Sequence, residues 1–296
     1  MPSLIARALK TGSRLIVRHQ PSSSKSLVRH LRLTMGNPPL VTLLPRGVKR
    51  TTFHEGNIKG DWLRVEQPGQ VILYFHGGGY VCGSPKTYHN LCSRLAKALQ
   101  ADVFLPVYRL APEHPFPAGV NDALEAYEFL LRQGWRGDQI SVAGDSAGAG
   151  LTLALLLALR DRERPMPKCA VVYSPYADVT LTSPSRLHND STDDMLSYRM
   201  LEVGMGTYVQ NGDYKNPYAS PVYGDYTGLP PLFITVCEQE LLRDDAYRVA
   251  AAARAVGVEV SLLARDDLLH VWPIFVPFLP EAREDLEKVV RFIGAH

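Results

Sequence analysis

Acidic residues are missing from the first 54 positions: ten Lys and Arg residues lie between Arg7 and Arg50, and Glu55 is the first carboxylate. Such a stretch resembles a transit peptide or a helix lying on a membrane surface. Cysteine is scarce too. Cys82, Cys92, Cys169 and Cys237 form no C-x-x-C pair and no His/Cys ligand spacing, so they read as reduced packing residues in a cytoplasmic protein with no metal site. Over the whole chain neither sign of charge dominates, and a net +2 is too small to call for nucleic acid. No apolar run is long enough for a secretory h-region, and none approaches a spanning helix.

What is present suits one α/β domain with an attached lid, since 296 residues can bury about three quarters of their unfolded surface. At the N-terminus, Leu4, Ile5, Ala8, Leu9, Leu15 and Ile16 share one helical face, and Leu27, Val28 and Leu31 repeat the pattern after a break at Pro21-Ser-Ser-Ser. Two amphipathic helices docked on the body are expected, and membrane association is not. After Pro38-Pro39, segments 48–55 and 58–66 flank Gly56-Asn57, a hairpin signal. Further strands are expected at 70–75, 103–108, near 140–144, 169–173, 232–236 and 258–263, alternating with helices near 86–100, 118–132, 244–256 and 281–293. Eight strands in this alternation give a mostly parallel sheet with helices on both faces. Segment 180–228, with three prolines and a helix near Met195–Gln210, breaks the alternation and reads as an insertion above the sheet.

The organising stretch is Ile140 to Gly150. A β-branched run ends in Gly144-Asp145-Ser146-Ala147-Gly148, and an uncharged segment from Leu151 to Leu159 follows. This fits G-x-S-x-G, a strand-turn-helix elbow that lifts a serine hydroxyl clear of the sheet. The backbones approach so closely that a Cβ two residues either side of the serine would collide. A serine hydroxyl needs a base, and the base an orienting acid. His270, after the last strand and before the closing helix, is the expected base; Glu238, Glu240, Asp244 and Asp245 follow the 232–236 strand and offer the acid. His76 and Asp145 read as bracing residues.

With these residues in view, the chain from about Gln70 onward resembles the bacterial hormone-sensitive-lipase family of α/β-hydrolases. His76-Gly77-Gly78-Gly79, Gly144 to Gly148, Tyr108 to Ala118 and Asn216 to Pro221 carry the resemblance. The family's catalytic aspartate falls on Glu240, with Asp244 the alternative acid, and Leu241 stands where the family has proline. The resemblance implies an α/β-hydrolase fold with a helical cap, and an oxyanion hole from the N–H groups of Gly78, Gly79 and Ala147. It also implies a serine carboxylesterase acting on short acyl esters without cofactor or metal.

The expected division is residues 1–45 as N-terminal helices joining the cap, 46–179 and 229–296 as the catalytic domain, and 180–228 as the cap insertion. Tyr80, Met205 and Tyr208 are expected to contact a small-molecule ester. An amidase or deacetylase using the same triad, and a non-catalytic module on the same fold, stay open as alternatives. So does a homodimer paired through the last strand.

Overall fold

The computed structural model describes residues 2–18, 23–36 and 41–296. Pro21 and Ser22 of the expected break, and the expected Pro38-Pro39 turn, lie outside the described residues. Eight strands form one sheet: β1 (Lys49–Glu55), β2 (Ile58–Arg64), β3 (Gln70–Phe75), β4 (Ala101–Pro106), β5 (Ile140–Asp145), β6 (Cys169–Tyr173), β7 (Leu232–Cys237) and β8 (Val260–Arg265). Their order is β1-β2-β4-β3-β5-β6-β7-β8, antiparallel at β1/β2 and β2/β4 and parallel across the rest. This is the α/β-hydrolase fold.

Strand pleating sends alternate residues to opposite faces. From β3, Val71, Leu73 and Phe75 pack in a core with α4 (Ala118–Arg132), α5 (Ala147–Asp161) and α8 (Arg243–Ala255). Ile72 and Tyr74 face the other core, with α3 (His89–Leu99) and α9 (Pro280–Ala295). The uncharged run in α5 is buried all round because this helix is covered by the sheet and by neighbouring helices. β4 starts two residues earlier than expected, immediately after the left-handed Gln100 that ends α3.

A third cluster lies above the carboxyl ends of the strands. It joins α2 (Ser24–Thr34), through Leu27, Val28 and Leu31, to Met195, Leu196 and α7 (Tyr198–Tyr208). A one-turn helix, α6 (Ser185–His188), was too short for periodicity to reveal.

The first helix, α1 (Leu4–Ile16), departs from expectation. Its body-facing side carries Ala6, Lys10 and Ser13, while Leu4, Ile5, Ala8, Leu15 and Ile16 are exposed and only Leu9 is half-buried. Polar partners on the body decide this. Lys10 pairs with Asp194 and Asp267, Arg14 with Asp194, and Arg18 with Asp190, so several of the N-terminal cations are matched by the acidic 190–194 segment and Asp267.

Candidate active site

β5 ends at Asp145, and Ser146 takes φ +51° and ψ −119° before α5 begins at Ala147. Such backbone strain costs of order 1–3 kcal/mol and persists only where the surroundings impose it. Here the Ser146 N–H donates to the Tyr173 carbonyl at 2.8 Å, and the Ser146 carbonyl accepts from Gly150 and Tyr176. The flanking glycines are sterically required. A Cβ on Gly144 would lie 2.4 Å from the Gly148 carbonyl oxygen, and one on Gly148 would lie 2.1 Å from that of Phe75.

The loop after β3 brings Gly77 to Gly79 beside Ser146 in one cavity. Gly78 has φ +126°, which turns its amide away from strand geometry, and a Cβ there would meet the Cys82 carbonyl oxygen at 2.2 Å. Among the described residues the N–H groups of Gly78, Gly79 and Ala147 have no hydrogen-bond acceptor. Asp145 braces the loop, accepting from the Gly77 N–H at 2.9 Å and from the Tyr74 and Tyr88 hydroxyls. Burial pushes its pKa up to about 7, against those three donors. His76 is buried and stacked on Tyr108 at 4.3 Å, and its Nδ1–H donates to the Gly77 carbonyl. Burial lowers its pKa to about 4, so it is neutral at pH 7.

His270, in the loop after β8, also lines the cavity. Its Nδ1 donates to Glu240 Oε2 at 3.1 Å, and its Nε2 is buried without a hydrogen-bond partner among the described residues. Burial works against the imidazolium, but the Glu240 charge and hydrogen bond outweigh it, with Asp193 and Asp145 adding, and the pKa of His270 is raised. Burial likewise raises Glu240, although His270 pulls the other way. Ser174 Oγ donates to the same Glu240 oxygen at 2.9 Å. Asp244 stands apart: in the first turn of α8 it accepts from the Ser185 N–H and from Arg243.

Segment 185–193 holds the Glu240 loop by its backbone. Asn189 Nδ2 donates to the carbonyls of Glu238 and Glu240, Ser185 Oγ to that of Leu241, and the Leu241 N–H to Asp193 Oδ2 at 2.9 Å. That last bond requires an N–H, which a proline at 241 could not supply. Asp193 is buried, and its Oδ1 accepts from Met195 and Leu196. Burial raises its pKa, while the His270 charge and the three donors act against the rise. Sequence reasoning missed Asp193, Asn189 and Ser174, since no local pattern marks a residue whose partner lies 48, 51 or 66 positions away.

The cavity encloses about 180 Å³. Tyr176, Met195, Leu196, Met200 and Leu201 wall it, with Leu31 and Met35 from the N-terminal segment. Tyr80, Met205 and Tyr208, expected to contact substrate, do not line it. The Tyr80 and Tyr208 rings stack on one another at 3.8 Å, the Tyr80 hydroxyl donates to the Tyr176 carbonyl, and Met205 sits beyond the helix face that Met200, Leu201 and Gly204 present.

Residues 72–274 match a family described by the alpha/beta hydrolase fold. The chain is 41% identical over 239 residues to an acetyl-hydrolase of Streptomyces hygroscopicus, covering 80% of each. It is 32% identical to an esterase of Acinetobacter venetianus, covering 98% of this chain and 93% of the relative. An esterase of the bacterial hormone-sensitive lipase family superposes with a TM-score of 0.90 at 33% identity, over 100% of this chain and 99% of that one. The esterase EstE5, soaked with p-nitrophenyl butyrate, does so with a TM-score of 0.88 at 35% identity, over 99% and 98%.

Proposed function

Because this chain belongs to the α/β-hydrolase family, in its hormone-sensitive-lipase branch, and is a serine carboxylesterase, we propose that Ser146, His270 and Glu240 form its catalytic triad and that its substrates are short-chain esters. The observation that carries the triad is the bond from His270 Nδ1–H to Glu240 Oε2, which leaves Nε2 unpaired in the cavity that Ser146 shares.

Ser146 Oγ attacks the ester carbonyl carbon while its proton passes to His270 Nε2. The carbonyl π pair moves onto oxygen, and the N–H groups of Gly78, Gly79 and Ala147 hold that oxyanion; one such donor is worth about 3–4 kcal/mol. Collapse breaks the bond to the leaving oxygen, which takes the proton from His270. Water then attacks the acyl-serine, giving one proton to His270; collapse breaks the bond to Ser146 Oγ, which takes that proton back, and the carboxylic acid departs and ionises in solvent. Glu240 fixes the tautomer and stabilises the transient imidazolium without taking the proton.

The small cavity supports the short-chain preference, and relatives named acetyl-hydrolases point the same way. We assign the cap to the N-terminal segment that carries α1 and α2 and to residues 180–228, whose Val17, Leu31, Met195 and Leu201 line the same cavity as Ser146. A p-nitrophenyl ester series tests the preference: kcat/KM is expected to peak between acetyl and hexanoyl and to fall steeply by about ten acyl carbons. Activity still climbing at that length overturns it.

A further inference from the structure

We propose that the outward faces of α1 and α2 form a docking surface for an anionic lipid bilayer. On α1, Leu4 is 79% exposed, Leu15 72%, Ile16 61% and Ile5 43%, and with Ala8 they make one apolar stripe. Large contiguous apolar patches are rare on soluble surfaces that meet only water. The helix cannot roll this stripe inward, because its opposite side is bonded along its length. The Ser3 N–H donates to Glu281 at 2.6 Å, Lys10 pairs with Asp194 and Asp267, and Arg14 Nη2 donates to the Ser191 carbonyl at 2.9 Å.

Charge selects the occupant. Arg7 of α1, and Lys25 and Arg29 one turn apart on α2, are exposed and have no ion-pair partner among the described residues. Leu33, 70% exposed, continues the Lys25–Arg29 row by another turn. The His30 imidazole meets the Ile16 carbonyl at 3.0 Å, which fixes α2 against the end of α1. A basic amphipathic surface with large aliphatic side chains is the composition that lies in a bilayer interface. Anionic headgroups neutralise these unpaired cations while the aliphatic stripe enters the interface. Val17, Leu31, Thr34 and Met35 of the same N-terminal segment line the cavity, so a docked protein would hold its site near the lipid surface. The surface stands independently of the triad.

Co-sedimentation of the full chain with vesicles tests this, using phosphatidylcholine alone and phosphatidylcholine mixed with phosphatidylglycerol. Binding is expected to the mixed vesicles and to weaken with salt. Leu4→Gln/Leu15→Gln should lower partitioning by about tenfold or more through the apolar contribution. Lys25→Gln/Arg29→Gln should lower it comparably at low salt and flatten the salt dependence. Both variants should hydrolyse soluble p-nitrophenyl acetate like the parent, which shows that they fold. No preference of the parent for anionic vesicles, or binding unchanged in the leucine variant, overturns the proposal. So does a stable dimer in solution that Leu4→Gln/Leu15→Gln dissociates, because the stripe would then be covered by a second copy.

Discussion

His270 Nδ1 meets Glu240 Oε2 at 3.1 Å, with Ser174 Oγ on the same oxygen at 2.9 Å, so a glutamate stands where the family pattern has aspartate. The Glu240 loop is held by its backbone, with Asn189 donating to the Glu240 carbonyl and the Leu241 N–H donating to Asp193.

Glu240→Gln keeps the shape but offers the imidazole the wrong partner. Its kcat is expected to fall by about three orders of magnitude or more, as for removal of the acid from other triads. Asp244→Asn, which touches Ser185 and Arg243, should stay within a few-fold of the parent. Steady-state hydrolysis of p-nitrophenyl acetate separates the two. The base must be neutral, so activity rises with pH through the His270 pKa, which Glu240 holds above its ordinary value. The residual activity of Glu240→Gln should therefore show its acid limb at lower pH.

Asp193 is a positioning residue. In Asp193→Asn the side-chain oxygen can still accept from Met195 and Leu196, but an NH2 then faces the Leu241 N–H. We expect kcat to drop by about tenfold, KM to change little, and the acid limb to move down because one negative charge near His270 is gone. An unmoved pH profile would reduce Asp193 to a structural brace. Leu241→Pro restores the family's residue yet deletes the N–H that Asp193 accepts, and should destabilise the fold by about 1–3 kcal/mol in urea titrations.

His76 makes acid stability steep. Its folded pKa of about 4 lies below the unfolded value of 6.5, so its contribution is complete above pH 6.5 and is lost as pH falls toward 4. The difference corresponds to roughly 3 kcal/mol at most. Urea unfolding at a series of pH values should show this decline, and His76→Gln should flatten it.

Gly148→Ala forces a Cβ to 2.1 Å from the Phe75 carbonyl oxygen and should cost about 3 kcal/mol or more, with activity lost as the elbow opens. Gly206→Ala, in α7 with nothing within 4 Å, should instead raise stability by up to about 1 kcal/mol. Thermal melts of the two variants check the contrast.

The sheet was legible because each strand is a short apolar run bounded by turn residues, and the elbow because glycine is needed on both sides of Ser146. The side of α1 that faces the body was not. The hydrophobic pattern pointed Leu4 and Leu15 inward, but Lys10, Arg14 and Arg18 find carboxylates and carbonyls far along the chain, and those bonds set the rotation. Tyr80 and Tyr208, expected at the substrate, stack on one another, as two aromatic residues near a cavity can do. The support of Glu240 by Asn189 and Asp193 crosses about fifty residues between segments with no shared pattern.

The most direct test of the triad is mass mapping of the protein after reaction with diethyl p-nitrophenyl phosphate. A diethylphosphoryl group should appear on Ser146 as p-nitrophenolate leaves, with activity lost in step, slow labelling in His270→Ala and none at this position in Ser146→Ala. Modification at another residue accompanying inactivation, or full ester turnover by Ser146→Ala, would contradict the account.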